Sequence, residues 1–151
     1  MTEYVELFAN HVQDGLGIQR PGWMVEKVTQ TVAVDFDGVI HAYSKGWHDG
    51  TIYDEPVPGA IEGLRKLQER YAVFVFTSRR ATADVAAWIN RHALGAVEAV
   101  HEAPGNPREF WNNQEVILVT NRKLPAVAYI DDRAVPFTTW DYLLAVQMEG
   151  L

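Results

Sequence analysis

Residues 31–38 read Thr31-Val32-Ala33-Val34-Asp35-Phe36-Asp37-Gly38. A short, mostly apolar run rich in β-branched side chains, broken at once by Asp-Gly, is the pattern of a buried strand that ends in a tight turn. A second run, Tyr71 to Phe76, ends in Thr77-Ser78-Arg79, and a last one, Ala126 to Ile130, ends in Asp131-Asp132-Arg133. Val97–Val100 and Val116–Val119 are two further strand candidates, separated by a segment containing Pro104-Gly105. Helical patterns fall between the runs. Pro58-Gly59 opens one whose Ile61, Leu64 and Leu67 line one face. The next puts Val85, Trp88, Ile89 and His92 on one face, with Ser78 as its candidate cap and Gly95 just past its end. Thr138–Gln147 reads as a closing helix. Near-continuous apolar strands alternating with amphipathic helices imply an α/β class: a three-layer, Rossmann-like parallel sheet with helices on both faces.

The rest of the chain sets bounds. Its 151 residues suit a single domain spanning 1–151. A hydrophobic content of 48% with 22% charged residues excludes a disordered or fibrous class. The net charge of −7 lacks the basic footprint of a nucleic-acid binder, and the absence of cysteine excludes disulfides, thiolate metal sites and cysteine nucleophiles. Met1-Thr2-Glu3-Tyr4 is no secretory leader, and no apolar run reaches membrane-spanning length, so a cytoplasmic, non-membrane protein is expected. Residues 1–30 form an N-terminal extension; Tyr4, Leu7, Phe8 and Val12 predict a helix over 1–19, ended by Gly15, Gly17 and Pro21-Gly22. Residues 40–57, with Gly46, Gly50, Pro56 and several aromatics, predict a loop or small hairpin flap. Trp88, Trp111 and Trp140 read as core packing, and His11, His92 and His101 as structural or surface residues.

Ligands of open parallel sheets bind at the carboxyl ends of the strands. Parallel strands would bring Asp35, Asp37, Asp131 and Asp132 to one edge, with Thr77 and, just before the last strand, Lys123. Four carboxylates in a small volume repel one another, and burial disfavours their ionised forms. A divalent cation relieves both costs, and an all-oxygen donor set suits Mg²⁺.

In order, Asp35-Phe36-Asp37-Gly38-Val39, Phe76-Thr77-Ser78-Arg79, Lys123 and Tyr129-Ile130-Asp131-Asp132 resemble the four motifs of the haloacid dehalogenase-like (HAD) superfamily, in its small capless phosphatase branch. The resemblance implies an HAD-like fold and a Mg²⁺-dependent phosphatase. Asp35 would be the nucleophile, forming an aspartyl-phosphate, and Asp37 the general acid and then base. Thr77 would hydrogen-bond a phosphoryl oxygen with help from Ser78 or a backbone N–H, Gly38 would border the substrate, and Lys123 would neutralise the transferred group. Asp35 and the Asp37 carbonyl would touch the metal with Asp132, and Asp131 would act through water or directly. An acid at position 37 favours phosphate-ester hydrolysis over dehalogenation, because a halide leaves without a proton.

Only 39 residues separate Asp37 from Thr77 and 45 separate Thr77 from Lys123, so neither gap holds a full cap domain. The 40–57 flap is the one candidate lid, which suggests a bulky substrate or a cover supplied by a second copy in a homo-oligomer. Arg79 and Arg80 read either as clamps for a second anionic group or as solvated residues of a helix's first turn. The substrate is left among a nucleotide, a sugar phosphate and a polynucleotide end, a small phosphorylated molecule being preferred on charge. Two alternatives stand beside the enzyme: a phospho-accepting receiver-like module, disfavoured because Asp-x-Asp comes first and the acidic pair last, and a catalytically silent phospho-ligand binder.

Overall fold

The computed structural model describes residues 29–149, and before them the backbone of two short strands, β1 (His11–Gln13) and β2 (Gln19–Pro21), paired antiparallel. The helix expected over 1–19 therefore gives way to a strand at its C-terminal part. The remainder of that expected helix lies outside the described residues.

The main sheet has five parallel strands: β3 (Thr31–Asp35), β4 (Ala72–Phe76), β5 (Ala99–His101), β6 (Ile117–Thr120) and β7 (Ala128–Ile130), in the order β5-β6-β4-β3-β7. Helix α1 (Ala60–Gln68) joins β3 to β4, and α2 (Thr82–Ala93) joins β4 to β5. A short α3 (Trp140–Tyr142) runs into a π-helical turn, Leu143–Gln147, with the Thr139 hydroxyl accepting the Tyr142 N–H at 3.2 Å. Ser78 does not cap α2: its N-cap is Ala81, without a side-chain bond, and Ser78 is exposed.

The two faces of the sheet are covered differently. Val32, Val34, Val73, Val75, Ile117 and Val119 point to one face, where they pack with Leu64 of α1 and Val85, Trp88 and Ile89 of α2. Ala33, Phe74 and Leu118 point to the other, where Trp111 and Leu124 cover them. Among the described residues, both sheet-covering helices thus share one face, and irregular segments fill the second. This corrects the expectation of helices on both faces, and strand order explains it. The steps β3→β4 and β4→β5 run in the same direction across the sheet, so right-handed crossovers place α1 and α2 on one side. The steps β5→β6 and β6→β7 run back, so their connections cross the opposite face. Pro104-Gly105 and Pro107 keep the first of these from forming a helix, and the buried indole of Trp111 supplies the cover.

The edge strand β7 is largely exposed, Ile130 at 40%, because among the described residues it pairs with a strand on one side only. Trp140 is not core: it is 67% exposed and packs edge-on against Phe137 with ring centroids 5.3 Å apart. None of the described helices is long and apolar enough to cross a membrane.

Trp88 is the largest fully buried side chain; its indole stands edge-on to Phe36 at 5.2 Å and lies 4.2 Å from the His92 ring. Truncation of so large a core residue leaves a cavity beneath the turn after β3. Trp88→Ala is expected to lower stability by about 3–5 kcal/mol, read as a shift of the urea unfolding midpoint.

Candidate functional site

Parallel pairing dictates which strand ends meet. Val34 of β3 pairs with Ile130 of β7, so the residues that follow, Asp35 and Asp131, leave the sheet side by side. The carboxylates of Asp35, Asp131 and Asp132 each offer an oxygen within 4.8 Å of the others. Phe76 of β4 pairs with Asp35, which brings Thr77 to the same edge, where it is 1% exposed and donates its backbone N–H to Thr120 O at 3.0 Å.

Asp35 accepts the N–H of Phe36 at 2.8 Å. Partial burial pushes its carboxyl up from the ordinary 3.8 to about 6, against that hydrogen bond, and the charges of Asp131, Asp132 and Asp37 push the same way. Asp131 accepts the Arg133 N–H at 2.7 Å, and the Arg133 guanidinium lies 3.9 Å from Asp132. Gly38 is required at its position twice over. Its φ is +90°, and a Cβ there would lie 2.3 Å from Asp132 Oδ2. The absent side chain of Gly38 is the space that the Asp132 carboxylate fills.

The other expected residues are placed differently. Asp37 turns its carboxylate to Arg79 and to His41. Arg79, offered by the sequence as an anion clamp or a solvated residue, is 4% exposed, and its backbone N–H reaches the Thr77 hydroxyl at 3.2 Å. Lys123 lies over the Tyr129 ring, 5.0 Å from its centroid, and makes no ion pair with a described residue. Arg80 and Ser78 are exposed, and Arg80 lines a cleft of about 450 Å³ beside the edge, with Thr82, Glu102, Pro104, Pro107 and Asn121. The flap carries no strand, but Ala42 N–H to Glu55 O at 3.1 Å and Val57 N–H to Ile40 O at 2.8 Å close its base like a hairpin.

Two features escaped the sequence reading. His41 is fully buried, stacked on Phe36 at 5.5 Å; its signal was a histidine four residues after Asp37, across a turn built on Gly38. Glu102, which follows β5, accepts the Thr120 hydroxyl at 2.9 Å and the Arg108 N–H at 2.5 Å; its signal was its place at a strand end.

Three carboxylates this close fit a hard cation. Mg²⁺ binds oxygen at about 2.0–2.1 Å in an octahedron, so its ligand atoms stand roughly 3 Å apart side by side or 4 Å apart across the ion, both inside the 4.8 Å within which these oxygens lie. No protein-family model matches the chain, and neither a curated protein nor a solved structure is significantly similar to it.

The raised Asp35 carboxyl has a consequence for stability. The unfolded chain gives up this proton near 3.8 and the fold near 6, so between those values the folded state holds more protons. Stability from this group is therefore highest below about 4, falls as pH rises to about 6, and stays reduced above. Asp35→Asn, which keeps the acceptor for Phe36, is expected to stabilise the cation-free chain at pH 7.5 by on the order of 1 kcal/mol, allowing for solvent screening. The gain should vanish at pH 4, as measured by urea unfolding at both values.

Proposed function

We propose that this chain is a Mg²⁺-dependent phosphomonoester hydrolase of the HAD-like type, acting through an aspartyl-phosphate on Asp35. The observation that carries the reading is the meeting of Asp35 with Asp131 and Asp132 at the carboxyl edge, beside Thr77. A partly buried carboxylate among other acids is costly to the fold, and function is the usual reason for keeping such a group. Bound Mg²⁺, held by Asp35, Asp132 and Asp131, would supply charge neutralisation between the anionic nucleophile and the anionic phosphate.

The residues of the chain divide the remaining work. An Asp35 oxygen attacks phosphorus while the bond to the ester oxygen breaks, and the leaving oxygen takes a proton from Asp37. Water then attacks the phosphorus of the acyl phosphate, gives its proton to Asp37, and releases inorganic phosphate and the Asp35 carboxylate. Thr77 and the N–H groups after β4 border the phosphoryl oxygens. Lys123 reaches that group by swinging its flexible stem from Tyr129. The cleft between Arg80 and Asn121 offers the alcohol portion of a nucleotide, a sugar phosphate or a polynucleotide end a place outside the edge.

The decisive experiment follows release of p-nitrophenol from p-nitrophenyl phosphate with added Mg²⁺ or with a chelator. Turnover is expected with Mg²⁺ only, and Asp35→Asn is expected to lower it at least a thousandfold. One stoichiometric phosphorylation without turnover would instead favour the receiver-like module, and binding without either the silent phospho-ligand protein.

A further inference from the structure

Asp37 is gripped from two sides by groups that the phosphatase reading does not use. The Arg79 guanidinium donates from Nε to Asp37 Oδ2 at 2.8 Å and from Nη2 to Oδ1 at 3.0 Å, a two-pronged pair. His41 Nδ1 lies 2.8 Å from the same Oδ1. The other ring nitrogen of His41, Nε2, accepts the backbone N–H of Asp54 at 3.0 Å, so the ring proton is on Nδ1 and is given to Asp37. Three donors thus occupy a carboxylate with roughly four lone-pair sites, which leaves about one direction open.

Both gripping residues also hold the flap. Arg79 Nη1 donates to Gly50 O at 2.6 Å, and its guanidinium lies 5.0 Å from the Trp47 ring centroid. His41 reaches Asp54 across the base of the flap. Arg79 is 4% exposed and His41 0%, so neither is available to meet a substrate in this arrangement.

We propose that Arg79 and His41 are positioning residues that fix the Asp37 carboxyl in one orientation and tie it to the rest of the 40–57 flap, so that proton delivery to the leaving oxygen depends on that flap. The assignment rests on the phosphatase reading and replaces the view of Arg79 as a substrate clamp. Its signature lies in the leaving group. An alkyl phosphate expels an alkoxide that needs a proton, whereas p-nitrophenyl phosphate expels a stable phenolate that does not.

The test compares kcat and KM for p-nitrophenyl phosphate and glycerol phosphate in the wild type and in Arg79→Lys, which keeps the charge but loses the fork. General acid catalysis is worth about 10²–10⁴-fold, and a loosened acid should forfeit part of that. Arg79→Lys is expected to lower kcat/KM, which reports formation of the aspartyl-phosphate and not its hydrolysis, about 10–100-fold more on the alkyl ester than on the aryl ester. Equal loss on both esters, as from a merely structural role, overturns the proposal, and so does a raised KM with kcat retained, the mark of a clamp. If Arg79→Lys does not fold, the same ratio is read in His41→Asn, whose amide can still donate near the Nδ1 position, against His41→Leu, which cannot. The ratio should hold in the first and fall in the second; an unmoved ratio in both overturns the role of His41 and the proposal with it. A wild-type chain that hydrolyses neither ester overturns the phosphatase reading and this assignment together, whereas normal turnover with an unshifted ratio overturns this assignment alone.

Discussion

Parallel hydrogen bonding of β3 to its two neighbours is the constraint from which the site follows. With Val34 opposite both Val75 and Ile130, the chain has no freedom over which residues emerge together at the carboxyl edge. Asp35 emerges between Thr77 and Asp131, and the tight turn at Gly38 then returns the chain to let Asp132 in. The apolar side chains beneath these residues hold the register, since a slip of one residue would exchange the faces on which Val32 and Ala33 are buried. Core packing and the acidic cluster are therefore one arrangement seen at two depths.

The two carboxylates of Asp-x-Asp end up in opposite environments although they are two residues apart. Asp35 stands among like charges and is partly stripped of water, accepting a backbone N–H from Phe36. Asp37 is surrounded by donors, one of them a buried guanidinium. The turn at Gly38 separates them: one side chain remains at the strand end, and the other is directed beneath the flap.

Much of the architecture was legible in the sequence, and the failures share a cause. The strands at 31–35, 72–76 and 117–120 lie in runs too apolar to sit anywhere but a sheet interior, and their polar ends announced the edge. The convergence of Asp35, Asp131 and Asp132 followed from assuming parallel strands. The sides taken by α1 and α2 depend on the direction in which the chain crosses the sheet, which local periodicity does not encode. Arg79 finding Asp37 is a contact across 42 positions, and the exposure of Ile130 reflects the place of β7 at the edge of the described sheet. A residue's type and spacing report what it can do, while its partner is decided by topology.

The irregular face of the sheet sets where this protein can change. Residues 103–110, between β5 and the buried Trp111, are all exposed and contribute nothing to either core cluster, and Ala103, Pro104, Gly105 and Pro107 among them line the cleft. Lengthening such a stretch is thermodynamically mild, since doubling a loop adds only about 0.6 kcal/mol of closure entropy. Variation in its length and chemistry would remodel what frames the opening while leaving the acids on their strands, so the rim of the cleft can change without disturbing either core cluster.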